Sequence, residues 1–417
     1  MRAWFTRSGS SAVRRIAWLL LLFFVFAIPW EYSLDLGAPL GNIARIAGLA
    51  VLVAAVPALL QSGRIRRPGT LQWLSLALYL WFCCSFFWTA VPDATLMKLR
   101  GYSQEMMILW LAVEFAEGPD NLRSLMRVWL AGSWVLAILT IANYASYDPG
   151  SADQVRFAAV GQDPNDVARY LDLGFPIAAL LLDGRERWPG KLLAAGYLPL
   201  GFTCVLLTAS RGGFLAAVVA LAGCGALLFR RYPKGILVGT LALPAVAGAI
   251  WISLPRETLE RVASISEQLQ NGDLNQRVNI WSAGWQAFLK APLFGHGAGS
   301  FVVAAGLAPI DTAHNTVLSI LVEGGLFALV LAIAIVAVSM RWILAMRGTI
   351  RVALMTLMAV WLMSSLVGTV GESRTTWLLL GVIALCHHLT EERGDELDRE
   401  FPNPFPTVDL QMAERLQ

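Results

Sequence analysis

Long apolar runs recur along almost the whole chain, separated by short polar segments. A helix needs about 20 mostly apolar residues to cross roughly 30 Å of hydrocarbon, and most of these runs have that length. They predict twelve spans, at residues 16–33, 41–60, 71–90, 102–117, 125–146, 165–183, 191–209, 212–229, 235–254, 314–340, 351–369 and 375–390. The fourth has the shortest apolar centre, because it carries Glu105 and Glu114, and a count of eleven spans is the alternative. The pattern predicts an all-α polytopic membrane protein of about 12 transmembrane helices.

The composition agrees with a membrane domain. The 417 residues are 57% hydrophobic and 15% charged, with a mean hydropathy of +0.60, whereas soluble domains are roughly 25% charged. The regular recurrence of apolar runs predicts a single transmembrane domain over residues 1–390, followed by a cytoplasmic, partly disordered tail at 391–417. The net charge of +3 is small and the basic residues lie in short clusters, so no nucleic-acid binding is predicted.

The basic residues set the predicted orientation, because Lys and Arg in short loops favour the cytoplasm. With both termini inside, the cytoplasmic segments hold 21 of them. Ten others fall on the outward side: Lys98, Arg100, Arg156, Arg169, Arg211, Arg256, Arg261, Arg277, Lys290 and Arg374. These ten oppose the charge bias, so each needs a structural or functional explanation. Arg374 lies at a short outward turn, and we expect it to tolerate replacement by lysine. The longest predicted loop, 255–313, also lies outside and contains a predicted helix at 278–290.

Three predicted spans that run inward from this side begin with helix-start signals: QDPND before the sixth, TASRGG before the eighth and DTAHN before the tenth. A helix N-terminus has free backbone N–H groups and a partial positive charge, which suit an anion. In the second signal Ser210 can cap the helix, Arg211 adds charge, and Gly212 with Gly213 lets a phosphate approach the backbone. The alternative is a tight turn from which Arg211 extends to the membrane interface.

His314 is predicted to lie in the first turn of the tenth span. The helix dipole there disfavours imidazolium and keeps the ring neutral, as a general base requires. Asn315 could position a substrate hydroxyl or a phosphate oxygen. The alternative is an interfacial imidazole that is bonded to a neighbouring carbonyl. In the outward loop, Arg277 shares a helix face with Trp281 and Trp285, which suits a helix lying across the membrane surface.

Motifs of metal and nucleotide sites are missing from the sequence. It has no HExxH, Walker A, paired CxxC or acidic metal cluster. The glycines at 295, 297 and 299 are predicted to form a turn, since no βαβ unit surrounds them. The sequence therefore predicts neither a metal nor a cofactor.

Three motifs occur in a fixed order between Arg156 and Gly325: SRGG opening a span, R-x-x-x-W leading to P-L-F-G-H-G-x-G-S-F, and HN followed by LVEGG. Together they resemble the O-antigen ligase and polymerase superfamily of bacterial envelope glycosyltransferases. The resemblance implies a GT-C-like, metal-independent, inverting enzyme with a large helical periplasmic loop. It also implies a glycan donor linked to undecaprenyl diphosphate, a lipid A-core acceptor, contact with membrane lipids, and a site facing the periplasm from the inner membrane.

The resemblance also implies roles for individual residues. Arg211 and Arg277 would bind the diphosphate and stabilise its developing charge, and His314 would deprotonate or orient the acceptor. The remaining substrate-binding candidates are Arg156, Arg169, Asn165, Ser210 and Asn315.

The resemblance leaves more than one activity open. The ligase pattern has His-Asn, nine residues, a glycine, and a small or polar residue three further on; Gly325 fits and Ala328 departs from it. The single long late loop favours a ligase over an O-antigen or exopolysaccharide polymerase. A transporter or flippase would place ionisable residues near the midplane, on broken helices of related repeats. The deepest ionisable candidate is Arg45, within the second span, with Glu105 or Glu114 as a candidate partner, and no internal repeat supports a transporter.

Overall fold

The computed structural model describes residues 12–37, 41–63, 65–147, 156–229, 232–233, 248 and 277–401. Within these ranges the chain is helical and has no β-strand, only an isolated bridge between Asp35 and Asn42. The helices are α1 Ala12–Ala27, α2 Ile43–Ser62, α3 Thr70–Cys84, α4 Pro92–Phe115, α5 Pro119–Ala145, α6 Pro164–Asp183, α7 Trp188–Leu207, α8 Arg211–Leu228, α9 Arg277–Lys290, α10 Phe301–Ala305, α11 Thr316–Ala345, α12 Gly348–Val367 and α13 Arg374–Glu400. Short 3-10 helices at Ile28–Ser33 and Ser85–Phe87 extend α1 and α3.

Eight of the described helical segments are long and apolar enough to cross a membrane. They correspond to all of the predicted spans except the fourth, sixth, ninth and twelfth. The fourth, sixth and twelfth lie within α4, α6 and α13, whose charged or polar residues lower their hydropathy. The ninth, 235–254, falls almost entirely outside the described residues. The chain is therefore a helical multi-pass membrane protein, while the count of twelve stays a prediction.

Close packing aligns α6 with its neighbours. A Cβ atom at Gly213 of α8 would lie 2.4 Å from the Cβ of Ala168 in α6, so only glycine permits this approach. On the other side of α6, the buried hydroxyl of Tyr197 in α7 donates to the carbonyl of Leu171 at 2.8 Å. Lipid tails are as apolar as leucine, so membrane helices associate through small residues and hydrogen bonds of this kind. The packing fixes the starts of α6 and α8 side by side.

Ion pairs connect the helices at the end of the bundle that is predicted to be cytoplasmic. The guanidinium of Arg127 contacts both carboxylate oxygens of Glu186, at 2.8 and 3.0 Å. Arg123 pairs with Glu400, the last residue of α13. Helix α13 thus continues past the predicted domain boundary at residue 390, and only residues 402–417 of the predicted tail lie outside the described chain.

Arg45 does not lie deep in the bundle. It is exposed in the first turn of α2, where its backbone N–H donates to the capping side chain of Asn42 at 2.9 Å. Glu114, one of its predicted partners, instead pairs with Arg14 at 3.5 Å and accepts from the backbone N–H of Arg66 at 2.9 Å. Arg45 therefore lies near the start of its span, and the candidate pairing with Glu114 is replaced by these contacts.

Helix α11 is interrupted at Gly325, whose φ of 66° and ψ of −164° lie outside the helical range. The predicted glycine-rich turn fills the break: four backbone hydrogen bonds of 2.8 to 3.4 Å join residues 292–297 to residues 322–327. The indole of Trp81 donates to the carbonyl of Gly324 at 2.8 Å. The two motifs P-L-F-G-H-G and LVEGG therefore form one structural unit, which explains why they occur together.

Replacing Gly325 with alanine is expected to destabilise the protein by at least about 2 kcal/mol, since this region of φ and ψ is open essentially only to glycine. The added Cβ would also lie 2.2 Å from the carbonyl oxygen of Leu293. Thermal unfolding in detergent, followed by tryptophan fluorescence, measures the effect. Gly225→Ala in α8 is the matched control, because no atom lies within 4 Å of its added Cβ and alanine favours helix. Equal melting temperatures for the two variants would show that the break does not need glycine.

Candidate active site

Three helix N-termini meet at the other end of the bundle. Asp163, Ser210 and Asn315 cap α6, α8 and α11, and each side chain accepts a backbone N–H of its own helix, at 2.7, 3.2 and 2.9 Å. These are the starts that QDPND, TASRGG and DTAHN predict, so the prediction of three capped helices is confirmed. Free N–H groups and the positive ends of three helix dipoles are thus gathered at one end of the bundle.

A cavity of about 300 Å³ lies between these N-termini, and we call it the first cavity. Its lining comes from five parts of the chain: the start of α6, the start of α8, the first residue of α9, the segment before α11, and the end of α12. The lining residues are Asp163, Asn165, Asp166, Arg169, Ser210, Gly212, Gly213, Arg277, Thr312, His314, Ser364, Val367, Gly368 and Thr369. Five predicted site residues, Asn165, Arg169, Ser210, Arg277 and His314, are among them.

Arg169 is the most enclosed cation of the first cavity, with 7% of the residue exposed. Its Nη2 lies 3.0 Å from Asp166 and donates to the hydroxyl of Ser373 at 3.4 Å. The guanidinium also lies 5.2 Å from the ring centre of Tyr170. Its Nε is buried and has no hydrogen-bond partner among the described residues. A buried donor without an acceptor costs free energy, so this guanidinium is suited to receive an anion.

His314 lies one residue before the cap of α11, and not in its first turn as predicted. Its φ of 46° falls in the left-handed region, which few residues other than glycine adopt. Burial lowers the pKa of the half-buried imidazole, and the charge of Arg277 lowers it further. The ring is therefore neutral at pH 7 and can accept a proton, for reasons of burial and a neighbouring charge.

Arg211 is the first residue of α8 and is half-buried. Arg211 does not line the first cavity, although Ser210, Gly212 and Gly213 on either side of it do. Of the two arginines predicted to hold the anion, the structure places Arg277 in the cavity wall and Arg211 next to it. Arg169, which the motifs mark less clearly, lines the cavity directly.

Arg156 joins the starts of α6 and α8. Its Nε donates to the carbonyl of Thr208 at 3.2 Å, and its Nη2 donates to Oδ1 of Asn165 at 2.8 Å. The same oxygen accepts the hydroxyl of Ser210 at 2.8 Å. Arg156 itself does not line the first cavity. The network holds two of the three helix N-termini in place.

Asn315 also lies outside the cavity lining. Its Oδ1 caps α11, and its Nδ2 donates to the carbonyl of Leu366 in α12 at 3.3 Å. Both ends of the amide are thus bonded to the protein. This places the residue as a connection between α11 and α12 that fixes the backbone next to His314.

Thr369 lines the cavity without belonging to any motif in the sequence, whereas Thr312, which also lines it, is part of DTAHN. Thr369 follows the end of α12, and its hydroxyl is buried without a hydrogen-bond partner among the described residues. Next to it, the hydroxyl of Thr316 donates to the carbonyl of Gly368 at 2.8 Å and fixes this turn against α11. A single threonine in a loop gives no signal in the sequence, and only the fold brings Thr369 to the site.

Two further basic residues that are predicted to lie on the outward side have structural partners. Arg374 pairs with Glu31, and the two side chains are 13% and 2% exposed. Lys98 pairs with Glu323 and with Glu372, and its own side chain is 8% exposed. These buried pairs explain why both residues oppose the charge bias. Arg374 is therefore part of a buried ion pair and not the surface residue that its position in a short turn predicts.

Comparison with known proteins agrees with the motifs. Residues 196–333 match the sequence model of the family described as O-Antigen ligase. The matched stretch begins in α7, ends in α11 and includes Ser210, Arg277 and His314. The match confirms the resemblance that the motifs indicate.

No curated protein sequence matches the chain. A chain in the solved structure titled "Structural coordination of polymerization and crosslinking by a peptidoglycan synthase complex" is similar with a TM-score of 0.43 and 18% identity, over 77% of this chain and 98% of that chain. A likeness of this degree carries no argument about fold or function.

Proposed function

We propose that this chain is a member of the O-antigen ligase superfamily and transfers polysaccharide from undecaprenyl diphosphate to lipid A-core, as an O-antigen ligase of lipopolysaccharide biosynthesis. The first cavity carries the proposal, because Arg169 and Arg277 lie there beside His314 and three capped helix N-termini. Guanidinium groups and free N–H groups both favour a diphosphate.

We place the site on the periplasmic face of the bacterial inner membrane. The basic clusters that favour the cytoplasm lie at the opposite end of the bundle, where Arg123 and Arg127 form their ion pairs. Both proposed substrates are lipid-linked, so their reacting groups lie near the membrane surface. A cavity at the helix ends, in a GT-C-like arrangement of spans, meets that requirement.

The proposed reaction is an inverting displacement. The bond between the donor sugar and the diphosphate breaks, and its electron pair leaves with the diphosphate. An acceptor hydroxyl attacks from the opposite face of the sugar, and its proton passes to the neutral ring of His314. Arg277 and Arg169 stabilise the charge that develops on the leaving diphosphate, with Arg211 contributing from the start of α8. No metal is needed for these steps.

The remaining predicted residues support the site. Asn165 and Ser210 line the first cavity and are placed to contact the donor. Arg156 holds these two residues in position, and Asn315 fixes the backbone of His314.

The departure from the ligase pattern lies away from this chemistry. Ala328 is fully buried three residues after the break in α11, and it does not line the first cavity. Its methyl group therefore has no direct bearing on a ligase or a polymerase reaction. The product that the enzyme makes distinguishes a ligase from the alternative, an O-antigen or exopolysaccharide polymerase.

Reconstitution of the purified protein with an undecaprenyl-diphosphate-linked glycan and lipid A-core tests the function. We expect glycan on lipid A-core and release of undecaprenyl diphosphate, with full activity in EDTA. Elongation of the donor glycan would identify a polymerase, and donor movement across the bilayer without a new bond would identify a flippase. Chelator inhibition that a divalent ion reverses would contradict the metal-free mechanism.

A further inference from the structure

A second cavity, of about 530 Å³, adjoins the first. The two cavities share Thr312 and Thr369, and the segment before α11 forms part of both walls. Asp311 and Ala313 line the second cavity, whereas His314 lines the first. A ligand that fills the second cavity therefore ends at the wall that carries the proposed base.

The second cavity is more acidic than the first, where two carboxylates, Asp163 and Asp166, lie beside two arginines. Four carboxylates, Glu105, Asp311, Glu323 and Glu372, line it, and Lys98 is the one cation among the described lining residues. Lys98 is already paired with Glu323 and, at 2.5 Å, with Glu372. The excess of carboxylates disfavours a phosphate or another anion in this space. It favours a neutral ligand that donates hydrogen bonds.

Glu105 supplies an independent sign of a ligand. The residue is 8% exposed and lines the second cavity, and its Oε2 is buried without a hydrogen-bond partner among the described residues. At the junction with the first cavity, the hydroxyl of Thr369 is buried and likewise lacks a partner in the described chain. Unsatisfied buried groups cost about 1–3 kcal/mol each, and more when charged. Hydroxyl groups of a ligand would satisfy both.

The shape and the remaining lining also fit a sugar. Two aromatic residues, Tyr102 and Phe301, line the second cavity together with the carboxylates. The volume falls in the range of about 300–1,000 Å³ that is typical of small-molecule sites. Among the described residues, no group of three His, Cys, Asp or Glu side chains is placed to hold a metal ion. Glu323 and Glu372 meet at Lys98, whereas Glu105 of α4 and Asp311 of the segment before α11 line other parts of the wall, so the acidic groups are suited to more than one hydroxyl.

We infer that the second cavity binds the hydroxyl-rich sugars of the acceptor and delivers the attacking hydroxyl past Thr312 and Thr369 to His314. The inference rests on the proposed function. Donor glycan has the same hydroxyl chemistry, but its diphosphate end is assigned to the first cavity. An inverting attack needs the acceptor on the side of the reacting carbon that faces away from the diphosphate, and the wall that the two cavities share would let a hydroxyl in the second cavity reach a donor in the first.

The test measures binding and turnover separately, on the full-length protein in detergent. Equilibrium dialysis with lipid-free core oligosaccharide reports acceptor binding without any reaction. Glu105→Gln and Glu372→Gln each replace a carboxyl group by an amide of nearly the same size, and each is expected to weaken this binding about 10-fold or more. In transfer assays both should raise KM for lipid A-core by a similar factor, with KM for the donor within twofold. Glu117→Gln, an exposed carboxylate that pairs with Arg14 at the other end of the bundle, is the control.

Unchanged oligosaccharide binding in both cavity variants would overturn the inference. A rise in donor KM alone would overturn it as well, by assigning the second cavity to the donor glycan. If the wild-type protein binds the oligosaccharide through these carboxylates but transfers nothing to lipid A-core, the proposed function fails while the sugar site stands. Melting temperatures close to wild type confirm that a loss of binding is not a loss of fold.

Discussion

Arg277→Lys is expected to reduce the rate of glycan transfer about 100- to 1,000-fold while the protein still folds. Lysine keeps the positive charge but loses the planar fork of donors that can bind two oxygens of a diphosphate at once. The loss of one such contact in the transition state costs about 3–4 kcal/mol. Arg277 lines the first cavity together with His314, so the contact would form where charge develops. The measurement is kcat with a defined undecaprenyl-diphosphate-linked donor.

Arg100→Lys is the matched control for this substitution. Arg100 is also a basic residue of the outward side, but it is exposed on α4 and lines neither cavity. Its lysine variant should keep activity within about twofold, since a surface anchor needs only a long cationic side chain. Arg211→Lys should lose less than Arg277→Lys, because its side chain lies outside the cavity lining. Full activity of Arg277→Lys would make Arg277 an anchor of α9 and remove it from the chemistry.

The features that could be predicted from the sequence are those fixed by neighbouring residues. A helix start depends on a cap and the next three residues, so the sequence could predict that α6, α8 and α11 begin at Asp163, Ser210 and Asn315. The turn near residue 295 and the helix at 277–290 are local in the same sense. Hydropathy likewise predicts the most apolar spans, because a helix that crosses the membrane must be apolar along its own length.

The missed features depend on residues that are distant in the chain. Lys98 and Glu323 are 225 positions apart, and neither gives a signal of its partner. The position of Arg169 was missed for a similar reason: SRGG points to Arg211, and only the packing of α6 against α8 places Arg169 in the cavity wall. The second cavity could not be predicted either, since it needs α4, α10 and α11 together.

His314→Asn is expected to lower kcat about 100- to 10,000-fold, which is the usual contribution of a general base. Asparagine cannot take up the proton of the acceptor hydroxyl. It does tolerate a left-handed backbone better than most residues, so the φ of 46° at this position should be retained. Donor binding and melting temperature are expected to stay close to wild type. Near-normal turnover of this variant would exclude His314 as the base and leave it as an interfacial imidazole.

The pH dependence of transfer connects His314 to Arg277. Burial and the charge of Arg277 lower the pKa of His314, so the neutral base persists into the acid range and kcat/KM should fall only as the pH drops through the lowered pKa. Arg277→Gln removes the charge, and the pKa of His314 should rise toward its ordinary value, which moves the acid limb to higher pH. Arg277→Lys keeps the charge and should leave the limb in place despite its low rate. Profiles of kcat/KM from about pH 5 to 8 distinguish the variants. An acid limb at the same pH in Arg277→Gln and the wild type would mean that the group titrating in the reaction does not face Arg277, and therefore is not His314.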